Sequence, residues 1–203
     1  MQRVISYIDG FNLYYGLRSH NWRRYFWLDV QALSRNLLRP DQGLVHTKYF
    51  TARISSPADK VKRQSTYIDA IQTLTDVSIY FGQYQTTPRT CRECGFVYDS
   101  SQEKMTDVNI AVELLTDAFQ DAFDAAILIS ADSDLIAPVT AVKRLFPAKR
   151  VIVASPPGRF SANLSRTASA FLKIGHGSIE KSQFSSEVRT ANGFILRKPA
   201  HWS

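Results

Sequence analysis

Short apolar runs alternate along the chain with longer stretches in which apolar residues recur every three or four positions. Residues 3–8 (Arg-Val-Ile-Ser-Tyr-Ile) read as a buried strand ending at Asp9-Gly10, where glycine permits a sharp exit from a sheet. Val30, Leu33, Leu37 and Leu38 predict a helix over 29–38, stopped by Pro40 and Gly43, and a second strand follows at about 44–52. Ser55-Ser56-Pro57 marks the start of a helix that Val61, Ile68, Ile71 and Leu74 carry to about residue 75, before a third strand at 77–84. Pro88, Cys91, Cys94 and Gly95 make 85–102 an insertion rather than core. From about 103 a helical period places Val108, Val112, Leu115 and Phe119 on one face.

The run Ala125-Ala126-Ile127-Leu128-Ile129 has the continuous apolar character of a central parallel strand covered on both faces. A helix over 134–145, a strand over 150–154, a helix near 161–169 and a short strand at 171–174 complete the alternation. Strand and helix taking turns predict an α/β fold: an open, mostly parallel sheet with helices on both faces, right-handed crossovers, and sites outside the carboxyl ends of the strands. Residues 176–203 read as a polar, irregular C-terminal tail, so the expected organisation is one domain over 1–175 followed by that tail.

Composition narrows the class. With 203 residues, 44% hydrophobic and 21% charged, the chain has enough apolar material for a core. No stretch approaches the ~20 apolar residues that span a bilayer, and Asp9 interrupts the N-terminal run before a signal h-region forms. A cytoplasmic protein without a membrane partner is expected. Lysine and arginine number 25 against 18 acidic residues, a net charge of +7, which favours an anionic partner such as nucleic acid.

Against that basic background the carboxylates stand out. Asp9 follows the first strand, while Asp132 and Asp134 follow the strand at 125–129, so all three fall on one rim of a parallel sheet. Asp107 lies in the first turn of the helix that begins near 103–106 and can face the same rim. Each alone is an ordinary helix cap or first-turn acid. Together they would repel one another, and a hard divalent cation with oxygen ligands, Mg²⁺ or Mn²⁺, is the usual way to hold such a group ionised. That arrangement suits metal-assisted phosphodiester hydrolysis.

Three motifs carry a resemblance: Tyr7-Ile8-Asp9-Gly10-Phe11-Asn12-Leu13, Glu103-Lys104-Met105-Thr106-Asp107-Val108 and Ile129-Ser130-Ala131-Asp132-Ser133-Asp134-Leu135. In this order and context they resemble the NYN domain family of the PIN-like nuclease superfamily, the group that includes LabA-like proteins. The resemblance covers residues 3–174 and implies a Rossmann-like three-layer fold and a Mg²⁺- or Mn²⁺-dependent ribonuclease. It also implies a metal site of Asp9, Asp107, Asp132 and Asp134, supported by Asn12 and Ser130, and products ending in 5′-phosphate and 3′-hydroxyl. Lys104 matches a lysine of the family placed to contact a phosphate or the carboxylates. One departure is Ser169-Ala170-Phe171, where many relatives carry an acidic residue before the phenylalanine. It keeps open a second reading, a non-catalytic RNA-binding regulatory module with the same fold.

For substrate contacts, seven aromatics between Phe11 and Trp27 (Phe11, Tyr14, Tyr15, Trp22, Tyr25, Phe26, Trp27) interleave with Arg18, His20, Arg23 and Arg24. Single-stranded or structured RNA fits such a mixture, arginines on phosphates and exposed rings on bases. Most of the rings belong in a core, leaving two or three, Tyr14 among them, with Arg23 and Arg24 as the better contacts. Cys91-Arg92-Glu93-Cys94 resembles one zinc knuckle, but zinc needs four ligands and the sequence has no second pair. A structural Zn²⁺ would require His46, His176 or a partner subunit in a homodimer, so the pair reads as peripheral. Dinucleotide, Walker, nucleophile-elbow and His-Glu-x-x-His motifs are absent, and Phe11 occupies the place where an aspartyl phosphatase needs its second aspartate.

Overall fold

A computed structural model describes residues 1–202, with the side chains of 99–101 left aside. Six parallel strands form its centre: β1 (Gln2–Asp9), β2 (Gln42–Thr51), β3 (Val77–Phe81), β6 (Ala125–Ile129), β7 (Arg150–Ser155) and β8 (Ala170–Lys173), in the spatial order β3-β2-β1-β6-β7-β8. The chain runs outward one way from β1 and the other way from β6. That makes the gap between the carboxyl ends of β1 and β6 a topological switch point, where open α/β sheets form their sites.

Side chains alternate across the sheet as strand geometry requires. Val4 and Ile8 of β1 with Ile127 and Ile129 of β6 join an apolar layer built by α1 (Gly10–Ser19), α2 (Val30–Asn36) and α3 (Ala58–Ile71). Ile5 and Tyr7 with Ala126 and Leu128 join the opposite layer, with α4 (Thr106–Phe119), α5 (Ile136–Leu145) and α6 (Ala162–Thr167). The three-layer α/β fold expected from the alternation is therefore present.

Four local differences have physical causes. Residues 10–19, read only as an aromatic and basic segment, form α1, whose Gly10, Leu13, Gly16 and Leu17 are buried. Glycine is needed at residue 10, because a Cβ there would sit 2.6 Å from the Tyr49 hydroxyl and 2.7 Å from the Phe50 carbonyl oxygen. The insertion is an ordered antiparallel ribbon of β4 (Gln83–Thr90) and β5 (Val97–Lys104) that carries the cysteines at its tip.

On α4 the buried stripe is Ile110, Leu114 and Ala118, whereas Val108, Val112 and Phe119 of the expected face are exposed. The helix has two apolar faces, and the period alone did not choose between them. Finally, 176–202 is not an irregular tail. It holds α7 (His176–Glu180), the ribbon of β9 (Glu187–Arg189) and β10 (Ile195–Arg197), and a 3-10 turn at Ala200–Trp202. Ile179, Leu196 and Trp202 are buried in the first apolar layer, where few large residues spaced among polar ones suffice to pin the segment. Among the described residues no helix is long and apolar enough to cross a membrane.

Candidate active site

Asp9 ends β1 and caps α1, with Oδ1 accepting from the Asn12 backbone N–H at 2.9 Å. Its other oxygen accepts from the Ser130 hydroxyl at 3.0 Å, and that hydroxyl in turn accepts from the Asp132 backbone N–H at 3.0 Å. Ser130 is fully buried at the end of β6, so one side chain fixes the spacing between the two carboxylates. Asn12 ties the same corner from the other side, its Oδ1 accepting from the Ala131 N–H at 3.3 Å. Asp132 caps the next turn, accepting from the Asp134 N–H at 3.0 Å. Capping and convergence thus coincide in single carboxylates.

Asp9, Asp107 and Asp132 line one cavity of about 220 Å³ together with Asn12, Thr106 and Arg159. Asp134 is exposed outside this lining, although its charge reaches Asp107. A fourth carboxylate in the cavity is Glu103, quoted in the sequence motif but not assigned to the site. It caps α4 by accepting from the Thr106 N–H at 3.0 Å, a task it takes because Met105, at φ 80°, offers no side-chain cap. Glutamate three residues before the helix-opening threonine, and four before the first-turn aspartate, was the available signal. Ala170, at the departure from the family pattern, lies on β8 with β7 between it and β6, outside the acidic lining.

The crowding shows in the proton affinities. Burial pushes the Asp9 carboxyl up to about 6 against the pull of its Asn12 and Ser130 hydrogen bonds, with the Asp132 and Glu103 charges adding to the rise. Asp107 goes up to about 7, through burial first and then the charges of Asp9, Asp132, Glu103 and Asp134. Among the described residues no group of three or more His, Cys, Asp or Glu side chains is closed around a single point as a metal cage. Mg²⁺ does not demand one, since it keeps several waters and takes one or two carboxylates. The donor set, carboxylate oxygens with mutual repulsion to relieve, fits that ion.

A second cavity, of about 400 Å³, adjoins the first, and Phe11 and Tyr15 line both. Its walls come from α1, α3, β2 and the last turn of the chain, and they carry the rings of Tyr14, Phe26, Tyr49, Tyr67, Tyr84 and Trp202. Arg18, Arg23, Lys60 and Arg63 also line it, and no carboxylate does among the described residues. Of the expected substrate contacts, Tyr14 and Arg23 are here. Arg24 instead stacks over the Tyr25 ring at 4.7 Å, and Lys104 is exposed and lines neither cavity. Tyr25, Phe26 and Trp27 are buried, with the Trp27 indole donating to the Ser185 carbonyl at 2.7 Å.

At the ribbon tip, Cys91 has its thiol pulled below the ordinary value by the backbone N–H groups of Cys94 and Glu93. His46 bonds Ser78 at 2.8 Å and His176 bonds Tyr25 at 2.9 Å, so neither joins the cysteines.

A family model described as NYN domain matches residues 3–175. A relative from Pseudomonas putida (strain DSM 28022 / S16), named 6-hydroxy-3-succinoylpyridine 3-monooxygenase HspA, is 29% identical over an alignment covering 76% of this chain and 59% of that protein. The chain thus spans less than two thirds of that relative's length. A solved structure of a protein of unknown function from Vibrio parahaemolyticus RIMD 2210633 matches with a TM-score of 0.57 at 19% identity, covering 90% of this chain and 96% of that one. At that identity the likeness is one of fold.

Proposed function

Because the chain belongs to the NYN domain family, a family of PIN-like nucleases, we propose that it is a divalent-metal-dependent ribonuclease that hydrolyses RNA phosphodiester bonds at the switch point between β1 and β6. The observation that carries this reading is the convergence of Asp9, Glu103, Asp107 and Asp132 on one cavity from three separate parts of the chain. Asp9, Asp107 and Asp132 would hold Mg²⁺ or Mn²⁺, with Asp134 at the margin. When bound, such an ion lowers the pKa of a water and neutralises charge on a phosphoryl oxygen.

The remaining work falls to the chain itself. Ser130 and Asn12 keep Asp9 and Asp132 in register through hydrogen bonds to the Asp9 carboxylate and to the backbone N–H groups of Ala131 and Asp132. Arg159 brings a cation into the acidic lining, where it would meet a phosphate oxygen and hold the scissile group for in-line attack. The products are then a 5′-phosphate and a 3′-hydroxyl. The test is incubation of purified protein with mixed RNA substrates in Mn²⁺ or in chelator, beside Asp9→Asn. Cleavage that requires Mn²⁺ and the carboxylate supports the reading; cleavage in chelator, or by Asp9→Asn at the wild-type rate, overturns it. RNA binding that persists in chelator, with no cleavage on adding Mn²⁺, selects the regulatory module instead.

The Pseudomonas putida relative motivates a second reading, favoured by the larger cavity alone: a pyridine of the kind in that protein's name, an aromatic ring with an acidic chain, suits aromatic walls and four cations. Turnover of 6-hydroxy-3-succinoylpyridine in the presence of dioxygen and a reductant, with no RNA cleavage, would select it.

A further inference from the structure

Two cavities share a wall, and adjacent residues open into different ones: Asp9 into the acidic cavity and Gly10 into the aromatic one. Consecutive Cα atoms lie 3.8 Å apart, so a ligand extending from the acidic cavity by one nucleotide reaches the aromatic one over Phe11 and Tyr15. These two rings stack on each other with centroids 6.5 Å apart and planes 25° apart, and Tyr84 closes against Phe11 edge-on at 6.0 Å. Tyr15 in that wall and Tyr14 beside it keep 42% and 38% of their surface exposed, unlike the buried rings beneath them, so a base entering the cavity can meet the exposed part of each ring.

The charges fit the same ligand. Arg18, Arg23 and Lys60 have no ion-pair partner among the described residues, and Arg63 is paired only with the exposed Asp59, at 2.8 Å on the next turn of its own helix. Cations around an aromatic lining that holds no carboxylate match a planar π-system attached to phosphates. A volume of about 400 Å³ falls in the range, roughly 300 to 1,000 Å³, of ligand-binding pockets. His201 and Trp202 complete the cavity from beyond residue 175, where the family match ends. Trp202 packs edge-on against Phe26 and Tyr67, with centroids at 5.8 and 6.0 Å.

We propose that this cavity is a base-binding subsite, which receives the base of the unpaired nucleotide adjoining the phosphate held in the acidic cavity, while Arg18, Arg23, Lys60 and Arg63 neutralise the flanking phosphates. The proposal rests on the nuclease reading. It makes the preferred substrate a single-stranded segment, since a paired base must first be unpaired and unstacked, at an energetic cost, before it can enter.

The test is calorimetric titration of the full chain, in chelator, with adenosine 5′-monophosphate, uridine 5′-monophosphate, ribose 5-phosphate and pyridine-3-carboxylate. The expected result is that at least one nucleotide binds ten-fold or more tighter than ribose 5-phosphate, because stacking is lost with the base. Tyr14→Ala and Arg63→Ala, both at solvent-reached positions and checked for unchanged melting, should each weaken that binding about five-fold or more. Equal affinity for nucleotide and ribose 5-phosphate would leave a phosphate site only and overturn the proposal, as would no binding at all. Pyridine-3-carboxylate binding as tightly as the nucleotides would assign the cavity to small aromatic acids and also overturn it. RNA cleavage in Mn²⁺, and its loss in Asp132→Asn, reads the nuclease assignment separately, so either idea can fail while the other stands.

Discussion

The two cavities on either side of Phe11 and Tyr15 are opposite in chemistry. One gathers four carboxylates and a single arginine; the other gathers aromatic rings and four cations without a carboxylate. Burial costs the first dearly, since Asp9 and Asp107 take up protons at pH values where exposed aspartates are ionised. In the second, the buried surface is apolar and the charged heads reach solvent, which is the cheaper arrangement. An expense confined to one cavity marks where a positive ion is wanted, and the inexpensive neighbour marks where an anion with a flat apolar body is accommodated. A protein of net charge +7 thus concentrates negative charge at one point of its surface.

Asp132→Asn breaks the contrast most severely. The amide still accepts from the Asp134 N–H, so the fold should survive, while Mn²⁺-dependent RNA cleavage falls by more than about 100-fold. Cleavage assays beside circular dichroism check both halves. Ser130→Ala comes next, because it removes the hydroxyl that donates to Asp9 and accepts from the Asp132 N–H. Supports of this kind cost about 10- to 100-fold when lost, and raising Mn²⁺ should recover part of the rate.

A pH titration probes the cost of the acidic cavity. Folded Asp9 and Asp107 hold their protons up to about 6 and about 7, against 3.8 for an ordinary aspartate, so the folded state binds protons more tightly than the unfolded one. Stability of the metal-free protein is therefore greatest below pH 4 as far as these groups act, and declines as pH rises through 6 to 7. Asp107→Asn should stabilise the metal-free protein at pH 8 by about 1 kcal/mol, a value discounted because this half-exposed carboxylate is screened by solvent. Thermal melts in chelator at pH 5 and pH 8 read it, and a smaller gap between the two in the variant is the expected sign. Cleavage at limiting Mn²⁺ should rise over the same interval, as the carboxylates ionise. The smallest effect belongs to the cationic cavity: Asp59→Ala removes an exposed ion pair with Arg63 and should shift stability by under ~0.5 kcal/mol.

The sequence discloses the acidic cavity better than its neighbour, and for a physical reason. Asp9, Asp132 and Asp107 sit at ends of elements whose apolar runs are unmistakable, and strand ends in a parallel sheet must share an edge. Glu103 stayed hidden because a carboxylate at the end of an insertion strand has no period to place it. The aromatic cavity draws on α1, whose glycines and tyrosines obscure a helical stripe of Leu13 and Leu17, and on Trp202, which a polar stretch conceals. It is assembled from contacts between segments far apart in the chain, such as Tyr67 and Trp202, and those have no local signature. For the same reason the burial of Lys149, which donates to the Phe123 carbonyl at 2.7 Å, has no local sign in the sequence.

Anomalous diffraction from crystals soaked in Mn²⁺ tests the central claim most directly. A peak among Asp9, Asp107 and Asp132, absent when Asp132 is asparagine, is the predicted result. A fully occupied peak elsewhere, with none between the ends of β1 and β6, would contradict it.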